Sequence, residues 1–162
     1  MTIIVACDEN NAIGINGVMP WHIREDMLFF KAKTTGNIVV MGRKTWDGLP
    51  IKPLKNRDNY VISSNKDFCP EGAKVIHNID DIKSLETKDK KVFITGGGNV
   101  YKQTIEMCDE IFLTRVFKCF ENTDTFFPNI DKDRWILTYE SEKKTDEKNG
   151  LSYCFQTYKR KK

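Results

Sequence analysis

Apolar positions fall into short, nearly continuous runs separated by polar, glycine-containing segments. The runs Thr2–Cys7, Asn37–Met41, Tyr60–Ser64, Lys91–Thr95 and Glu110–Val116 are rich in β-branched residues and read as buried strands. Ala73–Ile76 is a weaker strand of the same kind. Between them lie helical patterns at about Ile23–Thr34, Arg43–Leu49, Ile79–Leu85 and Asn99–Met107. Trp135–Ser141 and Ser152–Tyr158, joined by the polar segment 142–150, read as a closing hairpin. Asp8–Met19, Pro50–Asn59 and Thr123–Pro128 read as loop or turn. This alternation predicts an α/β fold. It has three layers: a mostly parallel twisted sheet of about eight strands, helices on both faces and an antiparallel C-terminal strand. Without a linker or repeat, residues 1–162 are expected to form a single domain.

Composition narrows the class. The 40% hydrophobic and 11% aromatic content is that of a folded globular chain. Lys plus Arg number 26 against 23 Asp plus Glu. Much of that small excess sits in Lys159–Lys162, so no nucleic-acid partner is expected. No apolar run approaches membrane-spanning length, and no signal peptide is visible. Cys7, Cys69, Cys108, Cys119 and Cys154 are scattered without a CxxC pair. They suggest reduced thiols, a cytoplasmic setting and no metal site. A monomer is the default expectation.

Within Met19–Phe30, Asp26 shares a helical face with Ile23 and Phe30, near Trp21 and Met27. A carboxylate on an apolar face is costly to bury. Taken alone, it is more simply a first-turn helix acid; three strand ends elsewhere reverse that preference. In an open α/β sheet, ligands sit at the carboxyl ends of the strands. Gly42–Thr45 follows one such end with two cations at a helix start, suited to an anion. It is not a Walker loop, because a hydrophobic strand precedes it and Arg43 replaces the lysine. Thr95–Tyr101 places three glycines between strand and helix, without the third glycine of a Rossmann fingerprint. Ser63, Ser64 and Lys66 offer hydroxyls and a cation. Together these suggest a dinucleotide across several strand ends, and NADPH rather than NADH.

Several ordered motifs now coincide: AIG…MPW over Ala12–Trp21, Asp26 with Phe30, MGRKTW at Met41–Trp46, and Pro53–Leu54 leading to Arg57. Beyond them come the serines at Ser63, GGGNVY at Gly96–Tyr101, Leu113–Thr114 and DTFFP at Asp124–Pro128. From Ile4 to Tyr158 the sequence resembles the bacterial-type dihydrofolate reductases. The resemblance implies NADPH-dependent reduction of 7,8-dihydrofolate to tetrahydrofolate, with antifolate inhibitors as further ligands. It implies that Asp26 binds the pterin and promotes protonation at N5, with Thr114 in its hydrogen-bond network and Trp21 holding a water. Ile4, Val5, Met27, Phe30, Leu49 and Leu54 would line the substrate pocket, and Arg57 would pair with the tail α-carboxylate. For the cofactor it implies Ala6, Ile13, Gly14, Asn16, Gly17, Val18 and Met19 around the nicotinamide. Gly42, Arg43, Lys44, Thr45, Ser63, Ser64, Thr95, Gly96, Gly97, Gly98, Asn99, Val100, Tyr101 and Thr125 would hold the remainder. It further implies a cis peptide at Gly96–Gly97 and a lid over Asn10–Met19.

The chain departs from the family pattern at Thr95, usually aliphatic, at Thr123, usually glycine, and at Asn99, basic in some members. Lys52 is a candidate second tail contact. Two other readings stay open: a pterin- or flavin-precursor reductase of the same fold, and a non-catalytic nucleotide-binding module. Arg57 and the Asp26, Trp21 and Thr114 set weigh against them.

Overall fold

In a computed structural model describing residues 1–15 and 18–162, the central sheet has nine strands. In chain order the strands are β1 Thr2–Cys7, β2 Ala12–Gly14, β3 Ile38–Gly42, β4 Asp58–Ile62, β5 Lys74–Ile76 and β6 Val92–Gly96. They continue as β7 Glu110–Val116, β8 Thr125–Phe126, β9 Trp135–Glu140, β10 Lys144–Thr145 and β11 Ser152–Arg160. The helices are α1 Arg24–Thr34, α2 Arg43–Asp47 and α3 Gly98–Thr104.

The sheet order is β10-β11-β7-β1-β6-β3-β4-β5, with β9 also paired to β11. The pairs from β7 through β5 are parallel, whereas β11 runs antiparallel to β7, β9 and β10. The ninth strand is the two-residue β10, inside a segment whose polar sequence gives no strand signal. A second, two-stranded sheet pairs β2 with β8. Both fall in segments expected to be loop, Asp8–Met19 and Thr123–Pro128. Each is too short to show periodicity, and each exists only because the other lies beside it. The helix expected over Asn99–Met107 divides into α3 and a 3₁₀ turn at Ile105–Met107, and Ile79–Leu85 is also 3₁₀.

Alternation along β1 creates two cores. Ile3, Val5 and Cys7 point to the layer that holds Val100, Tyr101, Ile105 and Ile82. Ile4 points to the other face, with Val39, Met41, Trp46, Phe29, Phe30, Leu49 and Leu54. α1 and α2 therefore cover one face, and α3 with the 79–85 turn covers the other. A smaller cluster of Trp21, Ile23, Val116 and Tyr153 closes the corner where α1 begins. Cys7, Cys108 and Cys154 are buried, Cys69 and Cys119 are exposed, and all five are free thiols. No helix among the described residues is long and apolar enough to cross a membrane.

Candidate active site

α1 starts just after Trp21 and Ile23 enter the corner cluster, and its first turn brings Asp26 against β7. Thr114, buried in β7, donates its hydroxyl to Asp26 Oδ1 at 2.6 Å. Thr114 stands opposite Ala6 of β1 and Phe155 of β11, so the acceptor faces the middle of the sheet. Burial pushes the Asp26 carboxyl up from 3.8 to about 6; the Thr114 bond, which favours the anion, opposes this and is the smaller influence. The residue keeps one edge open to the cleft. Nearby, the indole Nε1 of Trp21 is buried and finds no hydrogen-bond partner among the described residues. A buried donor of this kind calls for an exogenous acceptor.

The α1–α2 face gathers Ile4, Phe30, Leu49 and Leu54 into one apolar wall. Val5 does not join it. As Ile4's neighbour on a strand, its side chain enters the opposite core, leaving only its backbone on the cleft side. Met27 lies at the cleft rim with half its surface exposed. Arg57 is half-buried. It donates Nε to the Lys55 carbonyl at 2.9 Å and Nη1 to Thr34 Oγ1 at 3.2 Å, and its guanidinium lies 5.9 Å from the Phe30 ring centroid. No carboxylate among the described residues pairs with it. Lys52 instead bonds the carbonyls of Trp46 and Asp47, ending α2, so it is a helix-capping group rather than a tail contact.

The glycine-rich turns meet at adjacent strand ends. Met41 is in register with Gly96, and Gly42 with Ile62. The Gly96–Gly97 peptide is cis, as is Lys52–Pro53. Gly96 has a φ of 132°, a conformation open to glycine. A Cβ on Gly97 would lie 3.3 Å from Thr45 Oγ1, and one on Gly42 would lie 3.0 Å from Val100 Cγ2. α2 and the β6–α3 turn thus approach closely enough that a side chain at either glycine would need its neighbour to shift by a few tenths of an ångström. Gly98 has a different reason: its Cβ would sit 2.6 Å from Thr125 Cγ2, so the close partner is β8. Asn99 and Thr125 line a cavity of about 420 Å³ beside this crossing.

Thr95 donates to the Val40 carbonyl at 3.3 Å, which satisfies its hydroxyl within the sheet. Tyr101 is buried in α3 and donates to the Ile4 carbonyl at 2.8 Å. Ser63 and Ser64 follow β4, beside the Gly42 end of β3. There Ser63 Oγ accepts from Asn65 N at 3.2 Å, and the Ser63 carbonyl faces His77 Nδ1 at 2.8 Å. Arg43 stacks 3.7 Å above the Phe68 ring and pairs with Asp47 at 3.1 Å, which shares part of its charge. α2 spans only Arg43–Asp47, too short for a strong helix dipole, so any anion affinity there rests on Arg43 and Lys44 themselves.

The segment from Asp8 to Met19 is anchored at its base. Ile13 and Gly14 belong to β2 and sit under β8, Ile15 and Val18 exchange backbone bonds, and Val18 and Met19 are exposed. Asn16 and Gly17 lie outside the described residues. Asn122, not Thr123, takes the positive φ (60°) ahead of β8, so threonine is unstrained at its position.

Asp8 and Arg115 drew no attention in the sequence. Asp8 is fully buried and accepts from the N–H groups of Asn10 (2.8 Å), Ala12 (2.9 Å) and Phe120 (3.0 Å). Arg115 Nη1 bonds the Asp8 carbonyl at 2.7 Å and Asn11 Oδ1 at 2.8 Å. An Asp two residues before Asn10 is an Asx-turn signal. The reach to Phe120 has no local signal.

A family model described as dihydrofolate reductase matches residues 1–160. Dihydrofolate reductase of Neisseria gonorrhoeae is 40% identical over 158 residues, covering 98% of this chain and 96% of that protein. The Staphylococcus aureus enzyme of the same name is 38% identical over 162 residues, covering 100% and 99%. Among solved structures, a dihydrofolate reductase from Enterococcus faecalis complexed with NADP(H) and RAB-propyl superposes with a TM-score of 0.91. It shows 38% identity and covers 99% of this chain and 96% of that one. The ordered motifs, the fold and the full-length match agree: the chain belongs to the dihydrofolate reductase family.

Proposed function

We propose that this chain reduces 7,8-dihydrofolate to 5,6,7,8-tetrahydrofolate with NADPH, acting as one domain and one monomer in the cytoplasm, and that antifolates compete for the same cleft. The observation that carries the reading is the part-buried Asp26–Thr114 pair at 2.6 Å, together with the apolar wall of Ile4, Phe30, Leu49 and Leu54. None of the comparisons reported above supports the flavin-precursor alternative.

The Asp26 carboxylate accepts from the 2-amino group and N3 of the pterin, a bidentate match for a planar donor edge. Thr114, donating to Oδ1, fixes the carboxylate plane. Negative charge held against the ring raises the basicity of N5, and a water held at Trp21 Nε1 is placed to deliver the proton. Ile4, Phe30, Leu49, Leu54 and Met27 enclose the ring and its aromatic tail, and Arg57 takes the tail α-carboxylate through its remaining guanidinium donors.

The residues present fit NADPH. Gly42 and Gly97 let α2 and the β6–α3 turn approach closely, and Arg43, Lys44, Thr45, Ser63 and Ser64 present cations and hydroxyls at adjoining strand ends. Bound there, NADPH supplies the hydride that reduces C6. Ala6, Ile13, Gly14, Val18 and Met19 cover the nicotinamide end and exclude water, and Gly96–Tyr101 with Thr125 frame the pyrophosphate end. Loss of NADPH absorbance on adding dihydrofolate tests the assignment. A folded protein without turnover overturns it, and equal rates with NADH overturn the phosphate-binding roles of Arg43, Ser63 and Ser64.

A further inference from the structure

α1 lacks a cap of its own. Its N-cap position is Ile23, whose side chain makes no capping bond, and the first intrahelical donor is Met27 N, bonded to Ile23 O at 3.1 Å. The acceptor comes instead from the segment between β9 and β11: Asp146 Oδ2 receives Arg24 N at 3.4 Å. The same segment holds the chain on either side of that bond. Asn149 Nδ2 donates to the His22 carbonyl at 2.7 Å, and Lys144 Nζ reaches Glu25 Oε1 at 2.8 Å. Tyr153, at the start of β11, donates its phenol to Glu25 Oε2 at 2.5 Å. Residues 22 to 25 are therefore held by four side chains more than 110 positions away, and Asp26 is the next residue.

We infer that Asp146 and Tyr153 are positioning residues for the reaction: Asp146 supplies from the C-terminal segment the cap that α1 lacks, Tyr153 holds Glu25 of the first turn, and together they set the depth of Asp26 against Thr114. The inference rests on the proposed reductase function. The physical reason is leverage. Asp26 lies in the first turn, which frays first when its donors go unmet. A shift of a few tenths of an ångström there alters both the Thr114 bond and the access of water to the carboxylate. Lys144 and then Tyr153 hold the Glu25 carboxyl below its usual range, so the anchor is an ionised one at neutral pH. The groups around Asp26 itself are Thr114 of β7, Cys7 of β1, Tyr101 of α3 and Tyr153 of β11.

The test uses Asp146→Asn and Tyr153→Phe, singly and together, in the full chain. Asn at 146 retains Oδ1 for the N–H groups of Lys148 (2.9 Å) and Asn149 (3.2 Å) but turns an amide donor towards Arg24 N. The local turn survives while the cap is lost. A carbon-13 titration of the Asp26 carboxyl in the free protein is expected to move down, towards an ordinary carboxylate, as water gains access. KM for dihydrofolate is expected to rise about fivefold, the scale of a lost helix cap, with KM for NADPH unchanged. A lower melting temperature with both the Asp26 midpoint and the dihydrofolate KM unchanged overturns the inference. If the double variant fails to fold, Asp146→Asn alone decides by the same readouts. Absence of dihydrofolate turnover in the wild type would overturn the reductase reading instead, and the titration would still test the positioning role.

Discussion

Thr114 Oγ1 and Asp26 Oδ1 lie 2.6 Å apart across 88 residues of sequence, the hydroxyl donating to a carboxylate that burial has made harder to ionise. β7 and α1 meet at this bond.

Under the proposed function, Asp26→Asn removes the charge assigned to orienting the pterin and raising N5 basicity. Turnover of dihydrofolate near neutral pH is expected to fall about 10²- to 10⁴-fold, the usual span for an acid–base group. Stopped-flow measurement of the hydride step against pH checks it, because the variant should also lose any inflection near 6 that titration of Asp26 imposes.

The same carboxylate costs stability. Its folded pKa of about 6 lies above the reference 3.8, so the folded state binds the extra proton between those values. Stability from this group is therefore highest below the window, falls as pH rises through it, and is lowest above about 6. At pH 7 Asp26→Asn is expected to stabilise the fold by about 1–2 kcal/mol, after allowance for the open edge of the cleft. The gain should vanish near pH 4 in urea unfolding followed by circular dichroism.

Among the described residues, Arg57 has no carboxylate to pair with. Arg57→Ala is expected to raise KM for dihydrofolate about 10- to 100-fold while leaving KM for NADPH unchanged, the scale of a lost charged hydrogen bond. Arg57→Lys should recover only part of the loss, because a point charge cannot reproduce the planar fork.

Gly98→Ala would set a methyl 2.6 Å from Thr125 Cγ2 and 3.3 Å from the Phe126 carbonyl. A cost of about 1–3 kcal/mol in chemical denaturation is expected, as for other overpacked sites. Thr125→Ala removes the nearer clash, so the double variant should recover part of that stability. Strict additivity in this cycle would show that the two residues do not meet.

Asp8→Ala would strand three backbone donors, those of Asn10, Ala12 and Phe120. A loss of about 2 kcal/mol or more is expected, led by the buried Ala12 N–H left without an acceptor, with the part-buried Asn10 and Phe120 donors adding to it. Limited proteolysis should cut the Asp8–Met19 segment faster than in the wild type, because its base would lose the tie to residue 120.

Sequence patterning alone determined the alternating α/β order and the mostly parallel sheet with an antiparallel closing strand. These follow from local periodicity and the handedness of strand connections. Motif order determined the family. Three things only the tertiary structure decided. β2 and β8 exist because each completes the other, and neither has a pattern of its own. Val5 faces away from the apolar wall that Ile4 joins, because pleating sends neighbours to opposite cores. The buried hold of Asp8 on Phe120 and the capping of α1 by Asp146 join residues more than 110 positions apart. A side chain's hydrogen-bond partner is chosen by proximity in the folded chain, and local sequence carries no record of that.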